Sequence, residues 1–187
     1  HTRLQGDWSS DVCSSDLADA LSHAGVRKLR GRILLIDGFF DAPPFGPGWN
    51  WDDIPEAYGA PVAGFQWADN AVTLVVEPGN MAGADATVRT LPVPEAFKVE
   101  SSVRTVPKDA PAHLTIRRSP DPGDFGFVVS GTVRTGKPHV ERMAVPDAGD
   151  WFARGLSELL RQRGIEHRSE EHTSELQSPC NLVCRLL

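Results

Sequence analysis

Gly131-Thr-Val-Arg-Thr-Gly136-Lys137 comes close to a phosphate-binding loop following a strand. Such a loop continues with a Ser or Thr for a magnesium ion. Pro138 stands there instead, removing a backbone donor, and no helix pattern follows. The stretch reads as a hairpin turn, and no nucleotide is expected. Asp52, Asp53 and Glu56 gather carboxylates, but their spacing fits neither a calcium loop nor an acid–base pair, so they read as solvated turn charges. His167, His172, Cys180 and Cys184 are possible zinc ligands at spacings that common zinc sites do not use. Trp49, Trp51 and Tyr58 could form an aromatic platform for a sugar ring, yet a Pro-rich loop needs large apolar anchors, and inward packing is the expectation. No catalytic, cofactor-binding or metal-ligating residue is assigned, and no cofactor is expected.

The elements that would position these residues sit in a chain of 187 residues, long enough for one ordinary domain or two small ones. With 40% hydrophobic and 24% charged residues the composition is that of a globular protein, and a net charge of −6 offers no basic surface for nucleic acid. No run of apolar residues is long enough to span a membrane. All three cysteines (Cys13, Cys180, Cys184) lie near the ends.

Residues 18–24 read as the tail of a helix closed by Gly25, and residues 32–36 as a short strand ended by Asp37. Pro43, Pro44, Pro47 and Pro55 exclude regular structure from the segment between them. Residues 62–67 and 72–76 suggest a hairpin turning at 68–71, and residues 86–90 a further strand. Residues 97–106 and 113–118 alternate as half-buried strands. After a turn at Pro120, Asp121, Pro122 and Gly123, residues 125–133 form the strongest strand candidate, with 139–145 expected to pair with it. Asp150 is the expected cap of a last helix bearing Trp151, Phe152, Leu156, Leu159 and Leu160, closed by Gly164. The predicted fold class is α+β, strand-rich, with a flanking helix at each end and a sub-domain boundary near 91–95.

Gly31, Ile33 and Asp37, then Trp51, Asp52 and Asp53, then Tyr58, Gly59, Ala60 and Pro61, followed by Asn70, Pro78 and Gly79, carry a resemblance. In this order they resemble the serine-type D-alanyl-D-alanine carboxypeptidase/endopeptidase family, the class C low-molecular-mass penicillin-binding proteins, and specifically its non-catalytic insert. The resemblance continues to Gly164 and Ile165. It implies an extracytoplasmic or periplasmic protein acting on peptidoglycan stem peptides through an acyl-enzyme, with a Ser-x-x-Lys pair, a Ser-x-Asn element and a Lys-Thr-Gly strand.

Lys28, Lys98, Lys108 and Lys137 are preceded three positions earlier by Gly25, Glu95, Thr105 and Arg134, and no asparagine has a serine two positions before it. Residues 1–17 and 168–187 resemble translated sequencing-adapter DNA foreign to the fold. The chain is thus expected to be an internal accessory segment, residues 18–167, inactive by itself. Its expected partner is a missing catalytic domain of the same parent chain, with peptidoglycan a second. Such a segment would leave part of the Leu156, Leu159 and Leu160 stripe uncovered. The alternative is an independent carbohydrate-binding or protein-interaction module.

Overall fold

The computed structural model describes residues 12–30, 33–35, 45–94, 96–119, 126–167 and 185–186. Ile36, Asp37, the turn at 120–123, Phe125, His172, Cys180 and Cys184 lie outside the described residues. In chain order the elements are α1 (Val12–His23), β1 (Ile33–Leu34), β2 (Ala71–Glu77), β3 (Thr87–Leu91), β4 (Val99–Val106), β5 (Leu114–Arg118), β6 (Phe127–Arg134), β7 (His139–Ala144), α2 (Ala148–Gln162) and β8 (Arg185–Leu186). The fold is α+β, with a strand-rich body flanked by two helices. It divides into two compact units, one of residues 1–47, 61–70 and 147–187, the other of 48–60 and 71–146. Residues 91–95, where prolines suggested a boundary, lie inside the second unit.

The first unit is built on its two helices. The cap of α2 lies three residues before the expected one: Asp147 Oδ1 accepts the Asp150 N–H at 2.9 Å, while Asp150 sits in the first turn and takes Arg154 Nε at 2.6 Å. Both helices close by the same device. Ile165 N–H donates to Leu160 O and Gly164 N–H to Arg161 O; in α1, Val26 N–H donates to Leu21 O and Gly25 N–H to Ser22 O. The closing glycines have φ of +68° and +77°, which a side chain would resist. Beyond these caps Lys28 and Glu166 bridge in parallel, and Lys28 Nζ meets Glu166 Oε2 at 2.6 Å.

Trp67 and Phe65 seat α2. The Trp67 and Trp151 rings lie 4.5 Å apart, Trp151 Nε1 donates to Trp67 O at 2.9 Å, and Phe65 meets Phe152 at 5.1 Å. Leu156 and Leu160 are buried and Leu159 is half-buried. The expected uncovered leucine stripe is therefore corrected for Leu156 and Leu160, which are consumed in packing, while Leu159 stays partly accessible. Trp67 is followed by a turn in which Ala68, Asp69 and Asn70 all have positive φ. Such backbone costs about 1–3 kcal/mol per residue and persists only where its surroundings over-determine it. Buried Asn70 supplies that constraint, its Oδ1 accepting from Trp67 N and its Nδ2 donating to Pro61 O. The segment at 62–67 forms no strand, so the hairpin expected around 68–71 is absent and the left-handed turn takes its place.

The second unit holds two three-stranded sheets, in the orders β3-β2-β7 and β4-β6-β5. β2 is central in the first, and Val72, Leu74 and Val76 are fully buried. It pairs antiparallel with β3 and with β7, with Leu74 opposite both Thr90 and Glu141. β6 was expected to pair with β7. Instead both its edges are occupied, by β4 in parallel and β5 antiparallel, so β7 crosses to the other sheet. The alternation read in residues 97–106 holds at its ends and breaks at Ser101: Phe97, Val103 and Thr105 are buried and Val99 half-buried, Lys98, Glu100, Ser102 and Arg104 are exposed, and Ser101, expected on the inward face, is exposed as well. Phe97 packs edge-on to Phe127 at 5.4 Å.

Candidate functional site

The aromatic residues at 48–60 do not point into a core. Trp49 is 43% exposed, Trp51 89% and Tyr58 67%. Inward packing had been expected because a Pro-rich loop cannot hold itself by a hydrogen-bond ladder. The loop solves that problem with polar contacts. Asp53 is the hub: Oδ1 accepts from Tyr58 OH at 2.8 Å and Oδ2 from Asn50 Nδ2 at 3.0 Å. Successive backbone turns run from Asp53 N–H to Asn50 O, Glu56 N–H to Asp53 O and Gly59 N–H to Glu56 O. Gly59 is required at its place, because a Cβ there would lie 2.0 Å from Asp53 O.

Two further devices tie the loop to the second unit's sheets. Glu56 bridges Met143 of β7, and Ala144 N–H donates to Pro55 O at 2.8 Å. Arg118, at the end of β5, sends Nη2 to the carbonyls of Ile54, Ala144 and Val145 at 3.2, 2.7 and 3.3 Å. Burial pushes this guanidinium below arginine's ordinary value, yet arginine stays charged at any working pH. A half-buried cation shared among three carbonyls holds the loop's base while its aromatic tip faces solvent.

The Tyr58 hydroxyl and the Asn50 amide hold the Asp53 carboxyl below the usual carboxylate range, and Asp53 raises the Tyr58 phenol in turn. The two signs differ. Asp53 stabilises the folded loop above the ordinary aspartate range, and that contribution is lost as pH falls through its lowered value. The Tyr58 bond is present below the ordinary tyrosine range and is lost as pH rises through its raised value. Tyr58 is the chain's one tyrosine, so tyrosinate absorbance reports it alone. Its midpoint should lie above that of free tyrosine and return toward it in Asp53→Asn; a midpoint unmoved by that substitution would contradict the hub.

Of the other residues singled out, Asp52 is exposed and Glu56 half-buried, on the same loop. His167 is set apart, its Nδ1 near Ile165 O at 3.4 Å. Among the described residues no three His, Cys, Asp or Glu side chains gather around a common centre. Lys28 and Lys98 are taken up by Glu166 and Glu100. Ser14 lies wholly buried in α1 with its hydroxyl unpartnered among the described residues. Arg118 went unnoticed in the sequence, since its three acceptors come from positions 54, 144 and 145 and no local pattern marks them.

The sequence model of the D-Ala-D-Ala carboxypeptidase 3 (S13) family matches residues 8–183, and the chain belongs to that family. Among solved structures it is similar to the crystal structure of penicillin binding protein 4 (dacB) from Haemophilus influenzae, with a TM-score of 0.60 and 22% identity, over 88% of this chain and 35% of that one. A second crystal structure of that protein, complexed with a novel beta-lactam, matches at a TM-score of 0.46 and 18% identity, over 92% of this chain and 35% of the other. The chain thus spans about a third of the length of the solved structures it matches, and the likeness is one of fold.

The family match corrects three expectations. It takes in most of residues 1–17 and 168–187, which had been read as foreign ends. It runs nearly the whole chain, so the chain is counted with the family's peptidase domain rather than as a non-catalytic insert. The inference of an inactive accessory fragment, or of an independent binding module, falls with it. Residues 12–17 also belong to α1, with Ser14 buried.

Proposed function

We propose that the protein acts on peptidoglycan as a serine-type D-Ala-D-Ala carboxypeptidase, outside the cytoplasmic membrane. The family match over residues 8–183 carries this reading. In such a reaction a serine attacks the penultimate carbonyl, the terminal D-alanine leaves, and water releases the acyl-enzyme. Among the described residues no helix is long and apolar enough to cross a membrane. The test is made on the intact gene product with a stem peptide ending in D-Ala-D-Ala. Free D-alanine and a covalent adduct with labelled penicillin are expected; the appearance of neither overturns the reading.

Peptidoglycan is the partner in this reading, and the surface offered to it is the loop at 48–60. Its support is the exposure of Trp49, Trp51 and Tyr58 on a backbone fixed by Asp53, Gly59 and Arg118. Large aromatic faces rimmed by polar groups mark interaction surfaces, and their flat faces suit the apolar faces of sugar rings. The exposed Asp52 carboxylate beside them can accept from sugar hydroxyls.

A further inference from the structure

A groove of about 550 Å³ lies in the second unit where the start of β5, the end of β6 and the start of β7 come together. That volume suits a ligand of a few linked residues. The chain's net charge is −6, yet no carboxylate lines this groove. Its walls carry Arg134 and Lys137 together with the imidazoles of His113 and His139, and its apolar surface includes Leu114 and Val140, the latter 57% exposed.

The groove is pre-formed. Gly131 has φ +113°, and a Cβ there would lie 2.1 Å from His113 O. Thr132 N–H donates to that carbonyl at 2.7 Å while His113 N–H donates to Thr132 Oγ1 at 3.0 Å. This close backbone approach fixes the start of β5 against β6. Arg134 Nε donates to Ala110 O at 2.9 Å, which orients the guanidinium and leaves its remaining donors uncommitted among the described residues. His139 Nε2 is held by Glu141 at 3.0 Å. Gly136, at φ +85°, sets Lys137 at the lip, exposed and without a carboxylate partner among the described residues. The stretch that nearly spells a phosphate loop thus builds one wall of the groove.

We infer that this groove binds an acidic peptide, the carboxylate-bearing stem peptide of peptidoglycan. The assignment rests on the peptidoglycan reading above. Two cations without a competing acid select an anion, and a guanidinium takes a carboxylate through paired donors. The apolar surface of Leu114 and Val140 favours a ligand with methyl-bearing residues over an inorganic ion.

The test uses the intact protein after reaction with penicillin, so that the active site is blocked and peptide binding reports the groove. A labelled stem peptide with free carboxylates is compared with the same peptide fully amidated, and inorganic phosphate is the competitor. The free acid should bind about tenfold tighter than the amide, and Arg134→Gln or Lys137→Gln should each remove about tenfold, as expected for a lost charge-assisted bond. Penicillin acylation should be unchanged in both variants. If Arg134→Gln disturbs the fold through Ala110, the exposed Lys137→Gln decides. Equal binding of acid and amide, unchanged affinity in the variants, or displacement by phosphate at the peptide's own concentration overturns the inference. Absence of any penicillin adduct in the wild type instead overturns the peptidase reading, and the peptide comparison is then read on the unmodified protein.

Discussion

Gly155→Ala should destabilise the first unit by about 3 kcal/mol, the upper part of the usual range for overpacking. An added Cβ would lie 2.3 to 2.6 Å from three atoms of the Trp67 ring. Alanine is the better helix former by about 1 kcal/mol, which works in the variant's favour. The clash wins because Trp67 has nowhere to go. Its carbonyl is held by Trp151 Nε1, its ring packs on Trp151, and Asn70 fixes the turn behind it. Gly136→Ala is the control: nothing lies within 4 Å, and only the positive φ opposes the substitution, at about 1 kcal/mol. Denaturant unfolding of the two variants measures the difference. A Gly155→Ala protein as stable as the wild type would mean that α2 is not seated on Trp67.

The second large effect is expected at Arg118. Replacing it by methionine keeps much of the bulk and deletes the cation that serves the carbonyls of Ile54, Ala144 and Val145. Acceptors left buried without a donor cost about 1–3 kcal/mol each where water cannot reach them, and loss of the charge-assisted bonds puts the total near 3 kcal/mol. Arg118 Nε is itself buried without a partner, which lowers the net value of the clamp. Arg118→Met should also loosen the loop, so the Tyr58 midpoint should fall back toward free tyrosine. Arg118→Lys keeps one donor point and should recover part of the loss. Unchanged stability and an unchanged Tyr58 titration in Arg118→Met would show that the clamp holds nothing.

Much of the fold was legible because local patterns decide it. Gly25 and Gly164 announce helix ends that only a positive φ can make, and the alternation from 97 to 106 shows which side chains face inward. Strand pairing was not legible. β7 follows β6 through a tight turn, and nothing in either strand reveals that β6 already has two neighbours while β2 has a free edge. The helix cap was misplaced because Asp147 and Asp150 are chemically equal candidates, and only the seating of Trp151 chooses between them. The aromatic loop was misread for a physical reason: apolar anchoring is the usual way to hold a Pro-rich segment, whereas here a carboxylate hub and a distant arginine hold it. The cationic groove was visible as a motif but had been weighed only against nucleotides, whose binding the proline argues against.

The proposed contact between peptidoglycan and the loop at 48–60 is tested most directly at Trp51. Trp51 is 89% exposed, so Trp51→Ala should leave stability within about 0.5 kcal/mol of the wild type. Cosedimentation of the intact protein with purified peptidoglycan should then show affinity about fivefold lower in the variant, the scale of one lost aromatic contact. Retention equal to that of the wild type, in a variant of unchanged stability, would contradict the claim.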